Sequence, residues 1–213
     1  MTEGKRMQPS TAPPNPVKPP IMVALKARTQ AQHEALEGAV GPFDAVETLP
    51  QYRALLSKLW GFHAPVEAAL VAFFQQAPEL ASALEFSERC HRRRWLTADL
   101  SASGLSEADI QGLPRCDAIL PIQSAAEALG TLYVLEGSTL GGQMMTRHFE
   151  ARLSITREQG LAFFSSYGDQ VGPRWKQLCV VLDDYSQRHD EDEVIIQAAC
   201  QTFERIRQWF LAA

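Results

Sequence analysis

The stretch Ala128-Leu-Gly-Thr-Leu-Tyr-Val-Leu-Glu-Gly-Ser-Thr-Leu-Gly-Gly-Gln143 has the Ala, Leu and Glu content of a helix, yet it carries Gly137, Gly141 and Gly142 in close succession. Each glycine in a helix interior costs about 1 kcal/mol against alanine, so the three together cost about 3 kcal/mol. That is a large fraction of a domain's net stability, and the usual compensation is close approach of the backbone to another body. Gly137 and Gly141 lie four apart and share one helical face. The glycines alone leave two bodies open, a second helix packed tightly against them or a flat ligand.

Outward from this segment the chain keeps a helical period. From Ile21 onward apolar residues recur at three- and four-residue spacing, with no sustained alternation of the kind strands show. The pattern predicts helices near 21–40, 50–76, 84–101, 122–150, 157–167, 172–188 and 191–211. Gly41-Pro42, Pro50, Pro78, the Gly104 to Pro121 loop and Gly172-Pro173 separate them. Inside that loop Ser106 is placed to cap a short helical turn. Residues 1–20 hold six of the 13 prolines and little apolar surface, and read as a flexible, extended tail. The expected architecture is a single all-α domain over 21–213.

Composition narrows the function. At 213 residues and 46% hydrophobic, the chain can bury one sizeable core. A net charge of −5 argues against nucleic-acid binding, which needs a basic surface. The run Arg92-Arg93-Arg94 reads as a solvated helix face. Four cysteines at 90, 116, 179 and 200 follow no metal or disulfide spacing and read as reduced thiols. No apolar run is long enough to span a bilayer, and the first residues lack the apolar core of a secretion signal, so the expected location is cytoplasmic. No phosphate-binding loop, nucleophile elbow or dinucleotide fingerprint is present.

One histidine stands out. His33 lies near the start of the first expected helix, with Glu37 four residues on and Lys26 two turns earlier on nearly the same face. A carboxylate accepting the Nδ1 hydrogen would fix the tautomer and leave Nε2 free as a metal ligand; a surface ion pair is the plainer meaning of the same spacing. Glu88-Arg-Cys-His91 fits one element of a di-iron bundle, but a second Glu-x-x-His is lacking. His63, before Ala64-Pro65, reads as packed or associated with a kink, and His148 and His189, set among charges, as surface residues.

Taken together, the segments from about Leu25 to Phe210 resemble the heme oxygenase family, closer to its bacterial branch than to its animal one. The carriers are Leu25-Lys-x-x-Thr-x-x-x-His-x-x-x-Glu37 and the glycine segment quoted above. Gly160-Leu-Ala-Phe-Phe164, Trp175-Lys176 and Thr202-Phe203 add support. The resemblance implies a helical bundle with heme between the first helix and a glycine-kinked distal helix. It implies His33 as the iron ligand, Glu37 as its carboxylate partner, and Gly137, Gly141 and Gly142 on the distal side, with Ser138 beside them. Lys26 and Lys176 are implied as propionate contacts, and Phe203 as a pocket aromatic. A neutral imidazole pushes less electron density onto iron than a thiolate does, and glycines above the iron let the backbone crowd the ring.

The implied reaction opens heme with O2 and external electrons to biliverdin, carbon monoxide and ferrous iron. A ferredoxin or flavin-containing reductase would be the donor, and a bilin-binding photoreceptor is a conceivable consumer. Basic residues such as Arg92 to Arg94 offer a docking place for an acidic donor. Animal members carry an aspartate where this chain has Ser138, and a basic residue where it has Val180. Ser138 keeps a second hypothesis in view, a heme-binding or heme-transfer protein without turnover. A third is a helical enzyme of the same architecture that acts without heme on a thiamin-like or quinone-precursor substrate.

Overall fold

The computed structural model describes residues 18–41, 45–119 and 121–212. The helices are α1 (Ile21–Val40), α2 (Leu49–Phe74), α3 (Pro78–Ala83), α4 (Arg92–Ala102), α5 (Glu107–Gln111), α6 (Ala125–Leu153), α7 (Ala162–Ser165), α8 (Val171–Arg188) and α9 (Asp192–Leu211). Three 3-10 turns, Phe86–Glu88, Arg157–Gln159 and Gly168–Gln170, link them, and no strand occurs among the described residues. Residues 1–17 of the expected tail, Pro42 of the first break and position 120 lie outside the described residues. Lys18, at the edge of that tail, pairs with Asp192 at 2.8 Å.

Local chemistry accounts for most boundaries. The α1 helix ends at Gly41, whose φ of 77° favours glycine and whose N–H reaches the Glu37 carbonyl. Thr48 and Gln51 form a capping box at the start of α2, with Pro50 harmless in the first turn. Ser106 caps α5 as expected, reciprocally with Asp109. Ser124 caps α6 by accepting the Glu127 N–H at 3.2 Å.

Two segments depart from the expected helices. Pro78 begins the short α3 instead of breaking structure, because proline suits the first helical turn. The expected helix 84–101 is interrupted: Glu85 sits in the left-handed region at φ 47°, a 3-10 turn follows, and α4 starts only at Arg92. Phe86 is thereby buried against Phe74, with ring centroids 4.1 Å apart. The α4 start is capped from another helix, since the Glu67 carboxylate accepts the Arg92 N–H at 2.7 Å. The expected helix 157–167 likewise reduces to a 3-10 turn and the four-residue α7. Its first amides, Ala162 and Phe163, are both bound at 2.8 Å by the buried Asp99 carboxylate.

The long α6 sits centrally and serves two apolar clusters. Its N-terminal half packs with α1, α2, α8 and α9 through residues such as Leu129, Leu132 and Leu135. Its C-terminal half packs Met145 and Phe149 against Tyr52, Leu100 and Phe164. Gly130 is the point of closest approach. A Cβ there would lie nearer than 3.0 Å to the Ile195 carbonyl and the Ala198 methyl of α9.

Pro65, inside α2, cannot donate to Gly61, so the Gly61 carbonyl is released from the helix ladder. The N–H of Cys116 takes it at 2.9 Å. The loop carbonyl of Pro114 and the ring of Trp209 approach so closely that Gly61 has no room for a side chain. His63 packs in the same stretch, buried between the rings of Phe62 and Phe163. Burial, followed by the nearby Arg92 charge, pushes its pKa down to about 3.

Candidate functional site

The α1 and α6 helices come near each other at Thr29 and Tyr133, where burial pushes the Tyr133 phenol up in pKa and the Thr29 side chain partly offsets it. Thr29 is buried and bonds back to the Leu25 carbonyl at 2.8 Å. One helical turn further on each helix come His33 and Gly137, and one more turn brings Glu37 and Gly141. The Tyr133 ring leans on Trp175 of α8, 5.7 Å between centroids, and Trp175 in turn lies 3.6 Å from where a Gly137 side chain would begin.

Along α6, Gly130, Tyr133, Gly137, Gly141 and Met144 form one stripe, and its surroundings change with position. At Gly130 it is pressed onto α9, while at Gly137 it is in ordinary van der Waals range of Trp175. At Gly141 nothing lies within 4 Å. Beside it Leu140 is 48% and Met144 66% exposed, an uncovered apolar edge on a helix otherwise central to the core. Gly142 faces elsewhere. A Cβ there would run into the Phe164 carbonyl of α7. The glycines thus divide between the two meanings the sequence left open, with Gly130 and Gly142 packed on protein and Gly141 bordering open space.

On the facing helix the His33 side chain is 56% exposed, and its Nδ1 lies 3.5 Å from the Glu37 carboxylate. That separation is long for a hydrogen bond but within ion-pair range. The Phe203 ring of α9 meets the imidazole edge-on at 5.6 Å, restraining its tilt. Ser138 is exposed beside the stripe, its hydroxyl donating to the Leu135 carbonyl at 2.7 Å. Lys26 on α1 and Lys176 on α8 are exposed, as is Val180 one turn after Lys176. The structure therefore brings His33, Glu37 and Phe203 into contact, and joins them to Gly137 through Thr29, Tyr133 and Trp175. The two lysines extend into solvent, Lys176 next to Trp175 and Lys26 two turns before His33.

Sequence reasoning missed what lies behind α6. The carboxylate of Glu136, 1% exposed, accepts hydrogen bonds from Arg89 at 2.7 Å, Arg92 at 2.9 Å and the Tyr167 phenol at 2.9 Å. Arg89 also donates to the carbonyls of Leu84 and Arg174 and to the Gln177 side chain, tying α6 to α8. Burial, ahead of the surrounding charges, holds the Tyr167 phenol well above its ordinary pKa. Arg92 is therefore not part of a solvated face, as its run suggested; only Arg93 and Arg94 are exposed. The signal was a lone Glu between Leu135 and Gly137, which no local pattern pairs with an arginine over 40 residues earlier. His148 is half-buried against Phe149, unlike the exposed His189.

A family model described as heme oxygenase matches residues 20–212. The chain belongs to the heme oxygenase family. Its fold is similar to that of the NO- and CO-bound heme oxygenase from Neisseria meningitidis, with 26% identity and a TM-score of 0.69 over 92% of this chain and 94% of that one. It is also similar in fold to the heme oxygenase from Leptospira interrogans, with 15% identity and a TM-score of 0.66 over 91% and 100% of the two chains. Curated proteins yield no significant sequence match.

Membership makes the chain a heme-degrading oxygenase, with heme as both substrate and oxygen-activating group. The residues present fit such a group. The stripe offers a side-chain-free stretch at Gly141 and uncovered apolar atoms at Leu140 and Met144, opposite a helix whose histidine is accessible. No helix among the described residues is long and apolar enough to cross a membrane.

Proposed function

We propose that this heme oxygenase opens heme to biliverdin with release of carbon monoxide and ferrous iron, using the cleft between α1 and α6. The observation that carries the reading is the α6 stripe, packed at Gly130 and open at Gly141, together with the accessible His33 on α1. Bound heme supplies oxygen activation and is itself the molecule oxidised.

The protein's own residues supply placement. His33 would hold the iron through Nε2, with the Glu37 carboxylate 3.5 Å from its Nδ1 to favour that tautomer and Phe203 to restrain its tilt. Gly137 and Gly141 would let the α6 backbone approach the ring face, adding no side chain of their own there. Ser138 offers a hydroxyl, not a carboxylate, to organise water beside that face. Lys26 and Lys176 offer ammonium groups to the propionates at the cleft's edge. Leu140 and Met144 exclude water from the apolar edge once covered. Reducing equivalents come from a separate ferredoxin or flavin-containing reductase.

The test is purified protein with one equivalent of hemin, given ferredoxin, reductase and NADPH in air with catalase present. Loss of the heme band with chromatographically identified biliverdin supports the reading, and the isomer formed reports how the ring is oriented. A stable complex that never opens its ring marks a heme carrier, and absence of any heme complex sinks the assignment.

A further inference from the structure

The cluster behind α6 is built as a charge balance. Glu136 and Glu67 face Arg89 and Arg92, all four side chains buried or nearly so, with Tyr167 as a neutral donor. Two carboxylates and two guanidinium groups sum to zero. Arg174, the other cation nearby, lies over the Tyr167 ring at 4.9 Å and is balanced by Glu85 and Glu88 at 4.0 and 3.8 Å. Water cannot screen such a cluster well, so removing one member leaves a net charge whose field reaches across the helix. Glu136 immediately precedes Gly137, and the Arg89 it binds also holds the α8 backbone at Arg174, two residues from Lys176.

We propose that Glu136 is a positioning residue whose carboxylate, balanced by Arg89 and Arg92, fixes the α6 glycines against α8 and keeps the field behind the heme face neutral. The inference rests on the functional reading above, which places heme on the Gly137–Gly141 face of α6, roughly a third of a turn around the helix from Glu136. A helix with its side chains is about 10–12 Å across, which sets the scale of the distance between the cluster and a ligand on that face. A unit charge at about 12 Å and an effective dielectric constant of about 20 shifts a titration by on the order of one pH unit.

The readout is the acid–alkaline transition of the ferric heme complex, followed in the visible spectrum on the full chain. Glu136→Gln keeps the shape of the carboxylate and one accepting oxygen, turns the other into a donor facing the cluster's own donors, and leaves one excess positive charge. Its midpoint is expected to fall by on the order of one pH unit. Arg92→Met, which leaves an excess negative charge, is expected to raise it by a similar amount. The double variant Arg92→Met/Glu136→Gln removes one charge of each sign and is expected to return the midpoint to the wild-type value. Arg92→Met and the double variant also carry the test should Glu136→Gln alone not fold.

A purely structural Glu136 would lower the melting temperature of the single variants and leave all midpoints together. That pattern overturns the proposal. Wild-type protein that shows no histidine-ligated ferric spectrum overturns the functional reading instead, so the two failures are told apart by the wild type alone.

Discussion

Replacing Gly141 by alanine is expected to make the heme-free protein more stable and the enzyme worse. Gly141 lies well inside α6, and nothing approaches within 4 Å of where its Cβ would be. The methyl therefore meets no steric cost, and the helix gains about 1 kcal/mol of propensity. For a chain of this length that raises Tm by roughly 2–4 °C. With heme in place the same methyl stands between the α6 backbone and the ring. Interference with the reacting geometry worth about 1.4 kcal/mol lowers turnover about tenfold.

Gly130→Ala is the internal control. It gains the same propensity but must push its methyl into the Ile195 carbonyl, the Ala198 methyl and the Ala199 amide of α9. Overpacking of this kind costs about 1–3 kcal/mol, so its Tm should stay level or fall. The assay is a thermal melt of both apo variants, followed by hemin titration and biliverdin yield. If Gly141→Ala melts below wild type without heme, the space is not open; if it makes biliverdin at the wild-type rate, heme does not sit on that stripe.

His33→Ala should abolish the histidine-ligated heme spectrum and biliverdin formation while leaving the apo melt nearly unchanged, since the side chain is more than half exposed; unchanged spectra would refute the ligand assignment. Acid stability offers an independent check on the core. His63 is held neutral, with a folded pKa of about 3 against a usual 6.5, so its contribution is full above pH 6.5 and is lost as pH falls toward 3. Asp99 acts in the opposite sense. Burial lifts its pKa to about 6 despite the two α7 amides it accepts, so its contribution is full below 3.8 and is lost as pH rises through 6. The two nearly cancel in wild-type protein between pH 6 and 4. Comparing His63→Leu with wild type isolates the histidine: the variant should gain about 2 kcal/mol relative to wild type between pH 7 and 5, measured by denaturant melts. A pH-independent difference would mean that His63 takes up its proton in the fold over the same pH range as in the unfolded chain.

The long elements were legible because their determinants are local. The periods of α1, α2, α8 and α9 and the caps at Ser106 and Gly41 sit within a few residues of the structure they specify. His33 and Glu37 were legible as a pair for the same reason, one turn apart on one helix. What escaped depends on distant partners. Gly130 looked like one more residue of a helix until α9 was laid against it. Arg92 looked solvated because the carboxylate that buries it belongs to α6. The break at Glu85 answers the demand to bury Phe86 and aim Arg89 at Glu136, which overrides the helical period of 84–101.

The carbonyl that Pro65 frees in α2 has a dynamic consequence. The segment 112–119 has no regular structure, yet its Cys116 amide is bound to a helix carbonyl and its Pro114 carbonyl lies over Gly61 beside Trp209 of α9. Hydrogen exchange at Cys116 therefore requires α2 and the loop to part, and should be slow, unlike at the exposed turn around Gly104. A loop that elsewhere would breathe independently is here part of the same cooperative unit as two of the longest helices, and its opening free energy should track theirs.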